Sequence, residues 1–334
     1  MRKTTHGFGF LGLIISLAII GLVLFLIFGI DYSALSDILA AQGYEPTPEM
    51  AKLLEKDDLT STGKRIFNAS RPELQDAAEF NQNCYSSQES NSSVLGCYTK
   101  KRVYVYNITD SELDGIRETV LAHELLHAVW ARLSSREKEN LQDDLESVYK
   151  ANKDALAAHM KTYSSDEYYD ELHSVIGSQI PESSLTSDLS KHYARYFNNR
   201  ETIVGYFNKY NGKFEKLEQE ASSLAGQIDE KRAEIEQRTA KYKADFNSLS
   251  TDIENFNNRA ASGSFASQSE FQAERAELLN RQNQLNADYD ALSNIIDETN
   301  ALIERYNDNV TASNKLYDTI NSRVDHTEDQ ITSE

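Results

Sequence analysis

One apolar stretch near the N-terminus constrains this chain more than any other feature. Residues 7–30 (GFGFLGLIISLAIIGLVLFLIFGI) contain no charged side chain. At about 1.5 Å of rise per residue, a helix of this length crosses a hydrocarbon core roughly 30 Å thick. The stretch therefore predicts a transmembrane anchor over residues 1–30, separate from everything that follows.

The flanking charges predict how this anchor is oriented. Arg2 and Lys3 precede the apolar stretch and Asp31 follows it. Because basic residues are retained on the cytoplasmic side, we expect a single-pass protein of the plasma membrane with a cytoplasmic N-terminus and the rest of the chain outside. A cleaved signal peptide is the alternative, although its apolar region is usually shorter, about 7 to 15 residues.

The same stretch also resembles the N-terminus of type IV pilins and pseudopilins. In those proteins a peptidase cuts after a glycine, which would be Gly7 here, and the fifth mature residue is usually a glutamate. This chain has Gly12 at that position. A pilin-like assembly component is therefore kept as a lesser alternative.

Composition bears mainly on partners. The chain has 34 basic and 53 acidic side chains, for a formal charge of −19. An acidic surface is repelled by nucleic acid, so no nucleic-acid partner is expected. Cys84 and Cys97 are the only cysteines, and an extracytoplasmic location makes a disulfide between them plausible.

Residues 31–205 are predicted to form one mainly helical domain with a small β-sheet. PTPEMAKLLEKD and SRPELQDAAEFN each begin with a capping residue and an early proline, which predicts short helices. GCYTKKRVYVYNI carries β-branched and aromatic residues on both sides of a Lys-Lys pair, which predicts two strands and a tight turn. TDSELDGIRETVLAHELLHAVWARL then predicts a helix that begins at Asp110 or Ser111 and ends at Leu133.

Residues 206–320 carry a heptad pattern that breaks once. Apolar residues alternate by three and four from Phe207 to Leu249, and NNRAASGSFASQSEF interrupts them with glycine and serine. After that, Leu278, Leu285, Leu292, Thr299 and Tyr306 recur every seventh residue, with Tyr289, Ile296, Ile303 and Val310 at the other core position. The pattern predicts an antiparallel coiled-coil hairpin, followed by a polar tail over residues 321–334. A solvated spacer and a partner-binding arm are both open interpretations of this hairpin.

The motif HELLH carries the chemistry of the sequence. His123 and His127 are four residues apart, so both imidazoles lie on one face of a helix and can reach one ion. Glu124 lies about 100° around that helix from His123, a position from which it could take a proton from a metal-bound water. The surrounding Ala122, Leu125 and Leu126 are uncharged. This arrangement predicts a Zn²⁺ site with Glu124 as its catalytic base, rather than two histidines satisfied within a core.

Here the chain resembles the zincin metallopeptidases, whose signature is this pair of histidines with an intervening glutamate. The resemblance covers about residues 45–205. It implies a sheet that precedes the active-site helix and whose edge strand holds a peptide or protein substrate. No HExxHxxGxxH extension follows, because Ala131 and Leu133 stand where a metzincin has glycine and histidine.

A catalytic zinc usually has three protein ligands, so a third ligand is expected farther along the chain. SSDEYYDELHSVIGSQI offers Glu167 and Glu171 one turn apart on a predicted helix. Glu171 is preferred, because it begins an apolar helical stretch and so resembles the second-helix glutamate of the gluzincin branch, with Asp170 in place of that branch's asparagine. Glu167 is the alternative third ligand. His173, His192, Tyr193 and Tyr163 are further candidates to donate to the oxyanion of amide hydrolysis.

The sequence therefore predicts an anchored, extracytoplasmic zinc metallopeptidase of the gluzincin type that carries a helical hairpin. The resemblance to zincins, and not the ligand spacing, implies that the bond hydrolysed is an amide. The competing hypothesis is an anchored coiled-coil tether or interaction protein whose zinc site is structural or inactive. In either case the membrane is one partner, and the hairpin could bind a protein partner.

Overall fold

The computed structural model describes residue 19 and residues 32–84, 94–165 and 167–323. Within these residues the chain divides into two compact units. The first unit runs to Asn211 and includes the chain again from Asp318, and the second unit comprises Gly212–Tyr317. The sequence had predicted boundaries after residues 205 and 320. The predicted anchor lies outside the described residues, apart from Ile19. Among the helices that the structure describes, none is both long and apolar enough to cross a membrane.

The first unit is mainly helical with a small sheet, which confirms the predicted class at that level. Its described elements are α1 Tyr32–Ala41, α2 Pro48–Lys56, α3 Ser61–Ala69, β1 Glu73–Gln75, α4 Ala77–Cys84, β2 Gly96–Thr99, β3 Arg102–Tyr106, α5 Ile116–Trp130, α6 Ser135–Ala151, α7 Lys153–Met160, α8 Tyr168–Gln179 and α9 Ser187–Tyr193. Two long helices follow, α10 Arg200–Ser262 and α11 Gln268–Ile320.

The sheet of the first unit has the strand order β1-β3-β2. β2 and β3 form the predicted hairpin, in which Tyr98 pairs with Val103 and the turn residues Lys100 and Lys101 have φ of 50° and 62°. Positive φ at both positions is typical of the tight turn that matches the twist of the strands. β1 pairs with β3 in parallel and was not predicted.

The segment SRPELQDAAEFN was predicted to be a helix throughout, and this prediction is wrong for its first half. Arg71 has φ of 44°, and it precedes Pro72, whose ring disfavours the helical region for the residue before it. Glu73–Gln75 consequently forms β1, and α4 begins only at Ala77. These residues also pair with the distant strand β3, and no local pattern in the sequence reveals such a pairing.

A disulfide joins Cys84, at the end of α4, to Cys97 in β2. The two residues are separated by 13 positions, and their Cα atoms lie 5.8 Å apart. Closing a loop of this size contributes about 3 kcal/mol in the chain-entropy model. The crosslink therefore restrains β2, which lies against Glu124 of the histidine motif.

The helix with the histidine motif, α5, begins later than predicted. Asp110 caps a single 3₁₀ turn, Ser111–Leu113, and α5 starts at Ile116. Between them Gly115 has φ of 103°, and a Cβ there would lie 3.0 Å from the Cβ of Tyr206. Glycine thus allows both the left-handed turn and the close approach of a neighbouring helix. From Ile116 to Trp130 nearly every side chain of α5 is buried, so α5 is the central element of the unit.

The second unit is an antiparallel pair formed by α10 and α11. Phe214 contacts Tyr317, Tyr242 contacts Tyr289, and Arg281 forms an ion pair with Asp252. Residue numbers rise along one helix as they fall along the other, which is the hairpin expected from the heptads. Leu224 and Leu249 are buried along this seam, as are Leu285 and Thr299 on the opposite helix.

The second core position of α11 differs from the prediction. Tyr289 and Ile296 are 59% and 40% exposed, whereas Ile295 is buried. From Leu285, residues three and four positions farther on lie on neighbouring sides of the same helix face. Ile295 follows Leu285 by ten residues and Ile296 follows it by eleven. Only the contact with α10 decides which of the two is buried.

Candidate metal centre

Three predicted ligands converge at the interface of α5 and α8. His123 Nε2 lies 3.1 Å from His127 Nε2 and 3.5 Å from Glu171 Oε1, and His127 Nε2 lies 3.3 Å from Glu171 Oε2. Ligand atoms at about 2.0 to 2.1 Å from a tetrahedral zinc are separated by about 3.3 Å. The donor set, two imidazoles and a carboxylate, is one that zinc favours in catalytic sites. The residues present therefore fit this ion.

Close packing of α8 on α5 brings Glu171 to the histidines. Gly177 lies against Leu126 of α5, where a Cβ would overlap the leucine side chain. At the C-terminus of α8, the buried guanidinium of Arg200 donates to the carbonyl oxygens of Gly177 and Ile180, at 3.2 and 2.6 Å. A cation at this end satisfies carbonyls that the helix leaves without partners. Arg200 and Gly177 together hold α8 in place.

Hydrogen bonds behind the two histidines orient both rings. His127 Nδ1 lies 2.8 Å from Asp170 Oδ1, and His123 Nδ1 lies 3.4 Å from Ser178 Oγ. The hydroxyl of Ser178 donates to the carbonyl of Ser174, so it can only accept from His123. Both Nδ1 atoms therefore carry a proton, and each Nε2 can offer a lone pair to a metal once its own proton has been displaced. Such outer contacts fix the tautomer of metal-binding histidines.

Charges in this cluster favour a bound cation. Burial lowers the pKa of His127, but hydrogen bonds with Asp170 and Glu171 outweigh it and raise the pKa well above its ordinary value. Burial raises the pKa of Glu171, but the charge of His123 and hydrogen bonds from His123, His127 and His159 lower it well below its ordinary value. Glu171 is thus an ionised carboxylate in a buried position. A metal must displace the proton of His127, so its affinity falls as pH decreases.

Glu124 lines a cavity of about 410 Å³, together with the three candidate ligands. The residue is 4% exposed. Opposite it, β2 approaches so closely that a Cβ on Gly96 would lie 2.6 Å from Glu124 Oε1. Residues 94–98 and Val120 form apolar and backbone walls of this cavity. A carboxylate so confined has few orientations open to it.

Glu167, the alternative ligand, lies in the wall of the cavity and not among the ligands. It stands just before α8, and its carboxylate accepts a hydrogen bond of 2.8 Å from Ser164. In the described parts of the chain, the group able to hold a metal consists of His123, His127 and Glu171. One turn of helix separates Glu167 from Glu171, and the packing of α8 turns the second of them inward.

Of the four further candidates for oxyanion donors, one lines the cavity and three do not. Tyr163 lines the cavity. His173, His192 and Tyr193 are buried outside the cavity lining, where His173 Nε2 lies 2.9 Å from His192 Nε2 and the Tyr193 hydroxyl donates to the His173 carbonyl. These three are core residues, and Tyr163 is the one that faces the cavity.

The buried His192 makes the stability of the first unit depend on pH. Burial lowers its pKa from 6.5 to about 4, aided by the charge of Arg195. Below about pH 6.5 the unfolded chain therefore binds a proton on His192, whereas the folded chain binds this proton only near pH 4. The stability of the folded state consequently rises with pH across this window. Between pH 7.5 and pH 5, the free energy of unfolding of the wild type should fall by about 2 kcal/mol more than that of His192→Gln.

Urea unfolding of the metal-free full chain in detergent would measure this difference. Trp130, the only tryptophan, lies 5.2 Å from the His173 ring and reports on the same core by fluorescence. The other histidines are present in both proteins, so the difference reports on His192 together with its hydrogen-bonded neighbour His173. Equal pH dependence in wild type and His192→Gln would contradict the prediction.

Three contacts of the site were missed from the sequence. Asp170 was noted as a replacement of an asparagine but not as the partner of His127. Ser178 follows Glu171 by seven residues, two helical turns, so the face it shares with the ligand was readable from spacing. His159 on α7 lies 2.5 Å from Glu171 Oε1, and no local signal in the sequence indicates this contact.

No protein-family model, curated protein or solved structure matches this chain.

Proposed function

We propose that the first unit is a zinc metallopeptidase of the gluzincin type that hydrolyses amide bonds in a peptide or protein substrate. The observation that carries this proposal is the convergence of His123, His127 and Glu171 at the spacing of zinc ligands, with the buried Glu124 in the same cavity. The apolar segment at residues 7–30 would anchor the chain in the plasma membrane with this unit outside.

The proposed mechanism divides the work among the residues of the chain. When bound, zinc would supply a water of lowered pKa and polarise the scissile carbonyl. Glu124 takes the proton of the attacking water and delivers it to the leaving amine. His123, His127 and Glu171 hold the metal, while Asp170 and Ser178 keep the histidine lone pairs directed at it.

The strand β2 provides a place for the substrate. It lies at the edge of the described sheet, and residues 94–98 line the cavity. An extended peptide can add to such an edge through backbone hydrogen bonds. A peptide added in this way would bring a scissile bond to the cavity that holds Glu124.

A tether with a structural zinc site is the competing function. The observation in its favour is the long hairpin of the second unit, where Phe246 is 54% exposed and Tyr289 59% exposed. Structural zinc sites, however, are almost always closed by four protein ligands, and catalytic sites keep one position open. The three-residue donor set and the base beside it favour the enzyme, with the hairpin as an arm for a protein partner.

The test combines metal content with cleavage. The full chain, purified in detergent, should contain about one zinc per molecule. It should cleave members of a peptide library, and a chelator should abolish cleavage until zinc is restored. Zinc binding without any cleavage would favour the tether, and absence of zinc binding would contradict both forms of the proposal.

Gly96 offers a separate test of the cavity. In Gly96→Ala the new Cβ would lie 2.6 Å from both Glu124 Oε1 and Val120 Cγ1, so the strand or the base must shift. We expect kcat/KM to fall on the order of 10²-fold, the effect of about 1 Å of misplacement, with zinc retained. Gly226→Ala, in open space on α10, is the matched control and should be fully active. Normal activity of Gly96→Ala would contradict the close approach of β2.

A further inference from the structure

His159 completes the candidate metal centre from outside the zincin motif. It lies on the short helix α7 and reaches Glu171 across a gap of 12 positions in the chain. Its Nε2 lies 2.5 Å from Glu171 Oε1. The same oxygen lies 3.5 Å from His123 Nε2, and Glu171 Oε2 lies 3.3 Å from His127 Nε2. The shortest contact of the ligand carboxylate is thus made by His159, on Oε1.

Only one direction of donation is chemically available in this contact. An ionised carboxylate has no proton to give, so His159 Nε2–H donates and Glu171 Oε1 accepts. The bond is charge-assisted, and such bonds are shorter and stronger than those between neutral groups. It restrains rotation of the carboxylate about its own axis, and it leaves Oε2 as the less occupied oxygen.

The position of His159 indicates that its side chain contributes little to the stability of the fold. Its side chain is 44% exposed and faces the cavity, whereas the Glu171 side chain is 5% exposed. Leu156 and Met160, both buried, attach α7 to the rest of the unit. An imidazole at the surface, supported by a ring contact with Tyr163, contributes little burial energy, so its main partner is the ligand carboxylate.

We propose that His159 is a positioning residue of the metal centre, which donates to Glu171 Oε1 and so presents Oε2 to the metal. This inference rests on the proposed function. Residues in this role orient the first ligands, and their loss typically weakens metal binding about 10- to 100-fold. His159 itself neither binds the metal nor touches the reacting atoms in this proposal.

The test compares two replacements in the full chain. His159→Gln retains an N–H near the position of Nε2, and His159→Leu has a similar size but no donor. Zinc dissociation constants would be measured by competition with a chromophoric chelator, together with the melting temperature of the metal-free proteins. Asp154→Asn is the control, because this exposed residue is on α7 but about 140° around the helix from His159.

We expect His159→Leu to bind zinc about 10- to 100-fold more weakly, with His159→Gln and Asp154→Asn close to wild type and all melting temperatures alike. Wild-type affinity in His159→Leu would overturn the inference and leave the proposed function standing. Equal weakening in His159→Gln and His159→Leu would also overturn it, because the donor would then not be the cause. A wild type that binds no zinc would overturn the proposed function as well.

Discussion

The variant Glu124→Gln is expected to lose peptidase activity while it keeps its zinc. The amide has nearly the shape of the carboxylate but cannot accept the proton of the attacking water. General acid–base catalysis contributes about 10²- to 10⁴-fold, so kcat/KM should fall within that range. Glu124 lies outside the group of three ligands, and this is why metal content should not change.

Glu167→Gln is the matched control for this experiment. Glu167 is a second carboxylate in the wall of the same cavity, and its contact is with Ser164. The replacement removes the same charge from the cavity without removing the base. Activity should therefore stay close to wild type. If both variants lost activity equally, the charge of the cavity and not a base at Glu124 would be responsible, and the proposed role of Glu124 would be wrong.

The second large effect is expected on metal content. Glu171→Ala, His123→Ala and His127→Ala should each reduce zinc from about one per chain to a small fraction, since a catalytic site normally requires three protein ligands. Glu167→Ala should retain full zinc. Mass spectrometry of the purified proteins after dialysis against buffered zinc would give these ratios directly.

This series also separates the two glutamates left open by the sequence. The structure brings Glu171 within 3.5 Å of both histidines, and Glu167 lies in the wall. Loss of zinc in Glu167→Ala with retention in Glu171→Ala would reverse the assignment. Because Glu171 is buried, circular dichroism of each variant is needed to show that loss of metal does not follow from loss of the fold.

Features that depend on neighbouring residues were readable from the sequence. The hairpin around Lys100 and Lys101 and the helical hairpin of residues 206–320 follow from local periodicity and turn chemistry. The pairing of His123 with His127 also follows from spacing, because residues four apart on a helix share a face whatever surrounds the helix. The acidic charge disfavours a nucleic-acid partner, and this stays a prediction.

Features that depend on distant residues were not readable. β1 forms because it pairs in parallel with β3, and local signals there had predicted a helix. In α11 the choice of Ile295 over Ile296 for the seam depends on the face of α10. Likewise, nothing in the sequence near His159 indicates that its ring meets Glu171, since helix α7 is placed by its own buried side chains.

The sequence by itself determined the chemical identity of the candidate site, because the two histidines and the base lie on one helix and a helix has a known period. The tertiary structure alone decided which carboxylate joins them. Glu167 and Glu171 differ by a single turn, and the apolar stretch that begins at Glu171 favoured this residue without excluding Glu167. Gly177 against Leu126 and Arg200 at the end of α8 set the rotation of that helix, and this rotation turns Glu171 toward the histidines and leaves Glu167 in the cavity wall.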